Sequence, residues 1–146
     1  MPETTSQQLV VFSLGSEEYA LPIGSVHEII RFSEPRSVAS EVPWIRGVIG
    51  LRGKIIPIFD LAARLGLAPS EPGKIVIVAG DAGQVGVMVD EVEEVLTVVS
   101  DQLEEVPTAN SDAIEAIAKI GDRLVVLLNT SGLFAREVAE EIAAAA

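Results

Sequence analysis

Apolar residues along this chain either alternate with polar ones or run continuously in short blocks, and the blocks break at glycine. Period-two spacing and β-branched content predict strands near 8–14, 18–23, 26–32, 46–51, 54–59, 74–79, 84–90, 94–99, 115–120 and 123–129. Gly15-Ser16, Gly53, Gly80-Asp81-Ala82-Gly83 and Gly121-Asp122 supply the turns between them. Two helices break the pattern. Asp60 can cap Leu61–Leu65, with Gly66 at its end. From Ser131 to Ala145 the spacing of Phe134, Val138 and Ile142 predicts a helix with Glu137, Glu140 and Glu141 on other faces. Its polar side is acidic, which suits docking on the protein body rather than on an anionic membrane surface.

The chain also echoes itself. An apolar strand meets Gly15, then Tyr19-Ala20-Leu21-Pro22-Ile23 alternates, and Val26 and Ile29 follow. Shifted by 65 or 66 residues, a strand meets Gly80, then Val85-Gly86-Val87-Met88-Val89 alternates, and Val92 and Val95 follow. At a shift of 69, Leu51-Arg52-Gly53-Lys54-Ile55 is answered by Ile120-Gly121-Asp122-Arg123-Leu124, and Asp60 by Asn129. Self-similarity at fixed spacing is a fold-level signal. Two copies of a five-strand unit, each too small to bury much alone, predict two small twisted antiparallel barrels sharing an apolar seam. The sequence places the first over about 8–68 and the second over about 74–129. PSEPG, residues 69–73, serves as linker, and the terminal helix packs on the body.

A chain of 146 residues suits one domain, and 49% apolar content is ample for its core. With aromatics at 4%, Val, Ile, Leu and Ala must do the packing. No apolar run approaches the roughly 20 residues of a membrane-spanning helix. MPETTSQQ has neither the basic nor the apolar part of a signal peptide, and there is no cysteine, so a free-standing cytoplasmic protein is expected. The net charge of −12 is uneven. Residues 1–60 hold seven acids against five bases, and the rest holds fifteen against five. Such acidity argues against nucleic acid, whose phosphates need clustered Lys and Arg. The bases of the first half all fall between 31 and 54, so one region is locally basic.

Candidate chemistry is sparse. His27 is the only histidine, which excludes a His-based metal cluster, and no nucleophile-elbow motif accompanies it. Asp90, Glu91, Glu93 and Glu94 lack the spacing of a calcium loop and read as a solvated, pairing-averse sheet edge. A small β-barrel hydrolase or ligand-binding module using these acids is the rival reading; one Trp and one Tyr give it little sugar-binding platform. No cofactor or metal is expected. The most informative stretch is WIRGVIGLRGKIIPIFDL, residues 44–61, which sets Arg52 on a glycine-assisted hairpin tip. A turn arginine can simply make a local ion pair worth about 0–1 kcal/mol. Arg52 and Lys54 flanking Gly53, with Arg46 upstream, favour a preorganised recognition element for carboxylates and amide oxygens.

LVVFSLGSEEYALPI, VHEI, WIRGVIGLRGKIIPIFDL, QVGVMVDEVEEVL and IAKIGDRLVVLLN occur in order from Leu9 to about Phe134, and together they resemble the CheW family of chemotaxis coupling proteins. The resemblance implies two five-stranded SH3-like barrels around a shared hydrophobic core and no enzymatic activity. It implies a bridge between the cytoplasmic tips of chemoreceptors and the regulatory domain of the histidine kinase CheA; ring assembly with the kinase is a further expectation that the residues leave open. Receptor-facing positions map onto Val26, Glu28, Gly47, Arg52 and Ile55, and further partner contacts onto Gly86, Val92 and Val95. The family more often carries Asn where Gly50 stands. A coupler of another chemosensory-like pathway, such as pilus-based motility, is the nearest alternative.

Overall fold

The computed structural model describes residues 5–39, 44–68, 71–80, 83–105 and 113–130. The helix expected over 131–145 and part of the 69–73 linker lie outside them. Eleven strands are described, the first five being β1 (Ser6–Leu14), β2 (Glu17–Pro22), β3 (Val26–Arg31), β4 (Ile45–Leu51) and β5 (Lys54–Asp60). Then come α1 (Leu61–Arg64), β6 (Lys74–Gly80), β7 (Gly83–Val89) and β8 (Glu91–Val99). β9 (Leu103–Glu104), β10 (Ile114–Ile120) and β11 (Arg123–Leu128) complete the order. Every strand expected from the pattern is present within a few residues. β9 was not legible, because two residues are too short to show a period.

Asp60 does cap α1: its Oδ1 accepts from the Ala63 N–H at 3.1 Å. At the other end the Leu67 N–H reaches back to the Ala62 carbonyl across Gly66, whose φ of 74° needs no Cβ.

Two sheets form, one of six strands in the order β8-β1-β2-β11-β10-β9 and one of five in the order β3-β6-β7-β5-β4. Under the internal echo, β6, β7, β8, β10 and β11 answer β1, β2, β3, β4 and β5. The two strand orders then become the same order, apart from the added β9. Each sheet is antiparallel except for one parallel pair, β2 with β11 and β5 with β7. Those parallel pairs, with the antiparallel pairs β1 with β8 and β3 with β6, are where the two echoed units interlock. The sequence places a boundary at 69–73, but the sheets divide the chain differently. β1 and β2 leave the first unit to pair with β8 and β11, while β6 and β7 leave the second to pair with β3 and β5. Contiguous halves exchange their first hairpins.

The core follows from this exchange. All five strands of the smaller sheet contribute to one apolar cluster: Ile56, Ile58, Ile75, Ile77 and Met88, with Ile30, Phe32, Ile49 and Leu51 packed on it. The larger sheet surrounds Leu9, Val11, Ala20, Val98, Ala116, Ala118, Val125 and Leu127. A third cluster lies between the sheets, with Phe12, Leu14, Tyr19 and Leu21 from one side and Phe59, Val76, Val78, Val85, Val87 and Val89 from the other. Along β6, Ile75 and Ile77 point into the five-stranded cluster while Val76 and Val78 face the shared one. Burial on both faces explains why KIVIVAG reads as a continuous apolar run instead of an alternating one.

Candidate protein-recognition surfaces

Arg52 and Gly53 both have positive φ, 51° and 79°, so the β4–β5 hairpin closes through the mirror-image turn that matches strand twist. For an arginine that conformation is uncommon. Its guanidinium reaches across to the Glu28 carboxylate on β3, linking the β4–β5 hairpin tip to the edge strand at the far end of the five-stranded order. The hydrogen bond to Glu28, and next its charge, raise the Arg52 pKa above the ordinary guanidinium range. Arg52 remains 70% exposed while Glu28 is 21% exposed. The carboxylate anchors; the guanidinium is presented. Ile55 lies three residues beyond Arg52 and is exposed, as is Ile29 next to Glu28.

Of the remaining expected receptor-side residues, Val26 is half-buried against the shared core. Gly47 is buried, and a Cβ there would collide with the Arg36 carbonyl oxygen. That carbonyl accepts from the Val48 N–H at 2.9 Å, and the Arg36 N–H donates to Val48 O at 2.8 Å. Gly47 therefore lets residues around Arg36 pair against the β4 edge; it shapes the surface without forming it. In the second group, Val92 packs against the shared core and Val95 is exposed on the β8 edge. Gly86 stands apart. It is buried, and its added Cβ would lie 2.6 Å from Ile58 Cδ1, 2.8 Å from Ile75 Cγ2 and 3.3 Å from Ile77 Cδ1. Its place in the interior of the five-stranded sheet fits packing, not direct contact.

Sequence reading missed a second ion cluster. Arg123 on β11 donates to Glu18 on β2 at 3.1 and 2.8 Å and to Glu94 on β8 at 2.8 Å. Those hydrogen bonds, Glu18 first, raise its pKa as well. Leu124 and Val95, the neighbours of Arg123 and Glu94, are both exposed. The signal was present in the echo, which aligns Ile55 with Leu124 and Glu28 with Glu94. The acids of β8 do occupy a sheet edge. Among the described residues no group of three or more His, Cys, Asp or Glu is arranged to hold a metal ion, and no helix is long and apolar enough to cross a membrane.

A doubled, strand-exchanged β scaffold with an arginine-tipped hairpin and apolar side chains exposed beside it belongs to the class of adaptor folds that work by surface. The pattern that defines the CheW-like domain matches residues 8–138, and the chain belongs to that family. It is 33% identical over 141 residues to a probable chemotaxis protein CheW of Rhizobium etli, covering 92% of this chain and 91% of that one. With the chemotaxis protein CheW of Klebsiella aerogenes it shares 30% identity over 142 residues, 92% of this chain and 86% of the other. The crystal structure of the scaffolding protein TtCheW from Thermoanaerobacter tengcongensis superposes with a TM-score of 0.83 at 32% identity, covering 92% and 96% of the two chains. The mainly β architecture of two SH3-like units is therefore that of a CheW scaffold.

Proposed function

We propose that this chain is a cytoplasmic coupling protein that holds the tip of a chemoreceptor and a CheA-type histidine kinase together by protein–protein contacts, without catalysing a reaction. The observation that carries the reading is the Glu28–Arg52 bridge, which holds an exposed guanidinium at the β4–β5 tip, while Ile55 beyond the turn and Ile29 on β3 are exposed as well. A group already ordered in the free protein loses little freedom on binding, so more of the contact energy appears as affinity. Glu28, Arg52 and Ile55 meet the receptor, with Val26 and Gly47 supporting that face from behind. Val92 and Val95 serve a partner on the other sheet, while Gly86 acts through the shape of the interior.

Coupling then follows from geometry. Two modest contacts on one stiff body make the second docking step intramolecular, which raises the effective concentration of kinase at the receptor. A receptor signal passes through the body only as far as its two states are bound differently.

The test is Arg52→Asn beside Arg52→Glu. Asn tolerates the positive φ, so the hairpin is retained while the guanidinium is removed. Both variants should melt close to the unsubstituted protein, yet bind receptor-tip fragment about tenfold or more weakly, a loss of ~1.4 kcal/mol. Receptor-dependent kinase activation should fall with them. Folded variants that activate kinase normally would sink the assignment.

A further inference from the structure

The Arg123 cluster stands one pleat beyond the apolar interior of the six-stranded sheet. Ala20 on β2, Leu96 on β8 and Val125 on β11 pack in the cluster around Leu9 and Val11, and two residues before each comes Glu18, Glu94 or Arg123. Period-two geometry turns those three side chains to the same side of the sheet. There Arg123 Nε and Nη2 donate to the two oxygens of Glu18 at 3.1 and 2.8 Å, and Nη2 also donates to Glu94 at 2.8 Å. In hydrogen-bonded order β1 and β2 separate β8 from β11, and among the described residues no ladder joins them. The cluster thus ties two strands that the backbone leaves untied. Glu18 reaches it only because the exchange of hairpins carries β2 into this sheet. Val95 and Leu124, next in sequence after Glu94 and Arg123, point to the other side and are 52% and 59% exposed. Arg52 meets one carboxylate and is 70% exposed; Arg123 is 37% exposed with Nε and Nη2 already engaged. Such a guanidinium is suited to holding strands, not to reading a partner.

We propose that Glu18 is a positioning residue for the partner that Val95 serves. Acting with Glu94 through Arg123, it fixes β8 against β11 and sets where Val95 and Leu124 stand before docking. The inference rests on the coupling reading, under which the receptor takes the Arg52 side and the kinase regulatory domain takes β8. Glu18 need not touch the kinase. Strands fixed in advance lose less freedom on binding, so the clamp shows itself as affinity. Arginine suits the task because its planar fork can take both oxygens of one acid and still reach a second, whereas an ammonium acts as a point charge.

Calorimetric titration of the full chain with the isolated regulatory domain of a CheA-type kinase is the experiment, with receptor-tip fragment as control for the Arg52 side. Glu18→Ala should weaken kinase-domain binding about fivefold and leave receptor-tip binding unchanged. Glu18→Gln keeps an oxygen for the guanidinium and should recover most of the loss. Arg123→Lys keeps the charge without the fork and should match Glu18→Ala. A double-mutant cycle gives the decisive readout. Val95→Ala should lose less affinity in the Glu18→Ala background than in the parent, because an unheld β8 no longer presents Val95 in place. A residue that only stabilised the fold would lower the melting temperature and leave the two affinity losses additive.

Additive losses overturn the proposal, as does parent affinity in both Glu18→Ala and Arg123→Lys. Should Glu18→Ala melt early, the same cycle built on Arg123→Lys decides. Val95→Lys separates this failure from failure of the coupling reading. If it abolishes kinase-domain binding while Glu18→Ala changes nothing, coupling stands and positioning falls. If it binds as the parent does, no kinase contact lies at Val95 and both fall.

Discussion

Gly86 offers a sharp test of the interior geometry, because the expectation from sequence and the position in the structure assign it different work. Replacing it with alanine puts a methyl group 2.6 Å from Ile58 Cδ1 and 2.8 Å from Ile75 Cγ2, both inside the usual limit for such contacts. Relieving the overlap means moving isoleucine termini that are themselves packed in a close-fitting cluster, which typically costs about 1–3 kcal/mol. Against this, removing a glycine from a strand interior returns about 0.5–1 kcal/mol of backbone entropy. The net destabilisation should be about 1–2 kcal/mol.

Ile58→Val deletes the closest atom and alone costs about 0.5–1.5 kcal/mol. In the double variant the new methyl occupies the space released, so the two losses should fall short of their sum by about 1 kcal/mol. Urea unfolding followed by circular dichroism, with the fluorescence of the single tryptophan as a second probe, measures all four corners of the cycle. Additive losses, or a Gly86→Ala variant as stable as the parent, would refute the packing argument. A folded Gly86→Ala protein that had lost partner binding outright would return Gly86 to the contact surface.

Gly47→Ala should be more damaging, about 2–4 kcal/mol, because its φ of 151° suits glycine alone and the new Cβ meets the backbone carbonyl of Arg36, which has no soft side chain to move. Its Arg36–Val48 pairing should open, read as faster hydrogen exchange at the Val48 and Arg36 amides. Tyr19 is the only tyrosine, so absorbance of its phenolate reports one site. Burial first, then the hydrogen bond and negative charge of Glu17, raise its pKa well above the ordinary value of 10.0. A group whose folded pKa is raised stabilises the fold fully below its unfolded pKa and loses that contribution as pH climbs toward the folded one. Stability should therefore hold up to about pH 10 and then fall by about 1.4 kcal/mol per pH unit, a slope that Tyr19→Phe should abolish. Phenolate appearing near pH 10 in the folded protein would contradict the burial.

The strands were legible because burial on one or both faces leaves a period of two or an unbroken apolar run, and because glycine marks the turns. KIVIVAG and QVGVMV announced themselves in that way, and Asp60 announced α1 by the chemistry of capping. The hairpin carrying Arg52 was legible for the same local reason. By itself, then, the sequence determined every strand but β9, the doubling of the unit, the arginine tip and the family pattern. Pairing between distant strands leaves no comparable local trace. Only the tertiary structure decided that β1 and β2 cross to the second unit, that Glu28 rather than solvent receives Arg52, that Gly86 lies inside, and that Glu18 and Glu94 meet on Arg123. The physical reason is that a strand's own residues fix which of its faces must be buried, whereas the partner that buries them is chosen by how whole sheets can share one core.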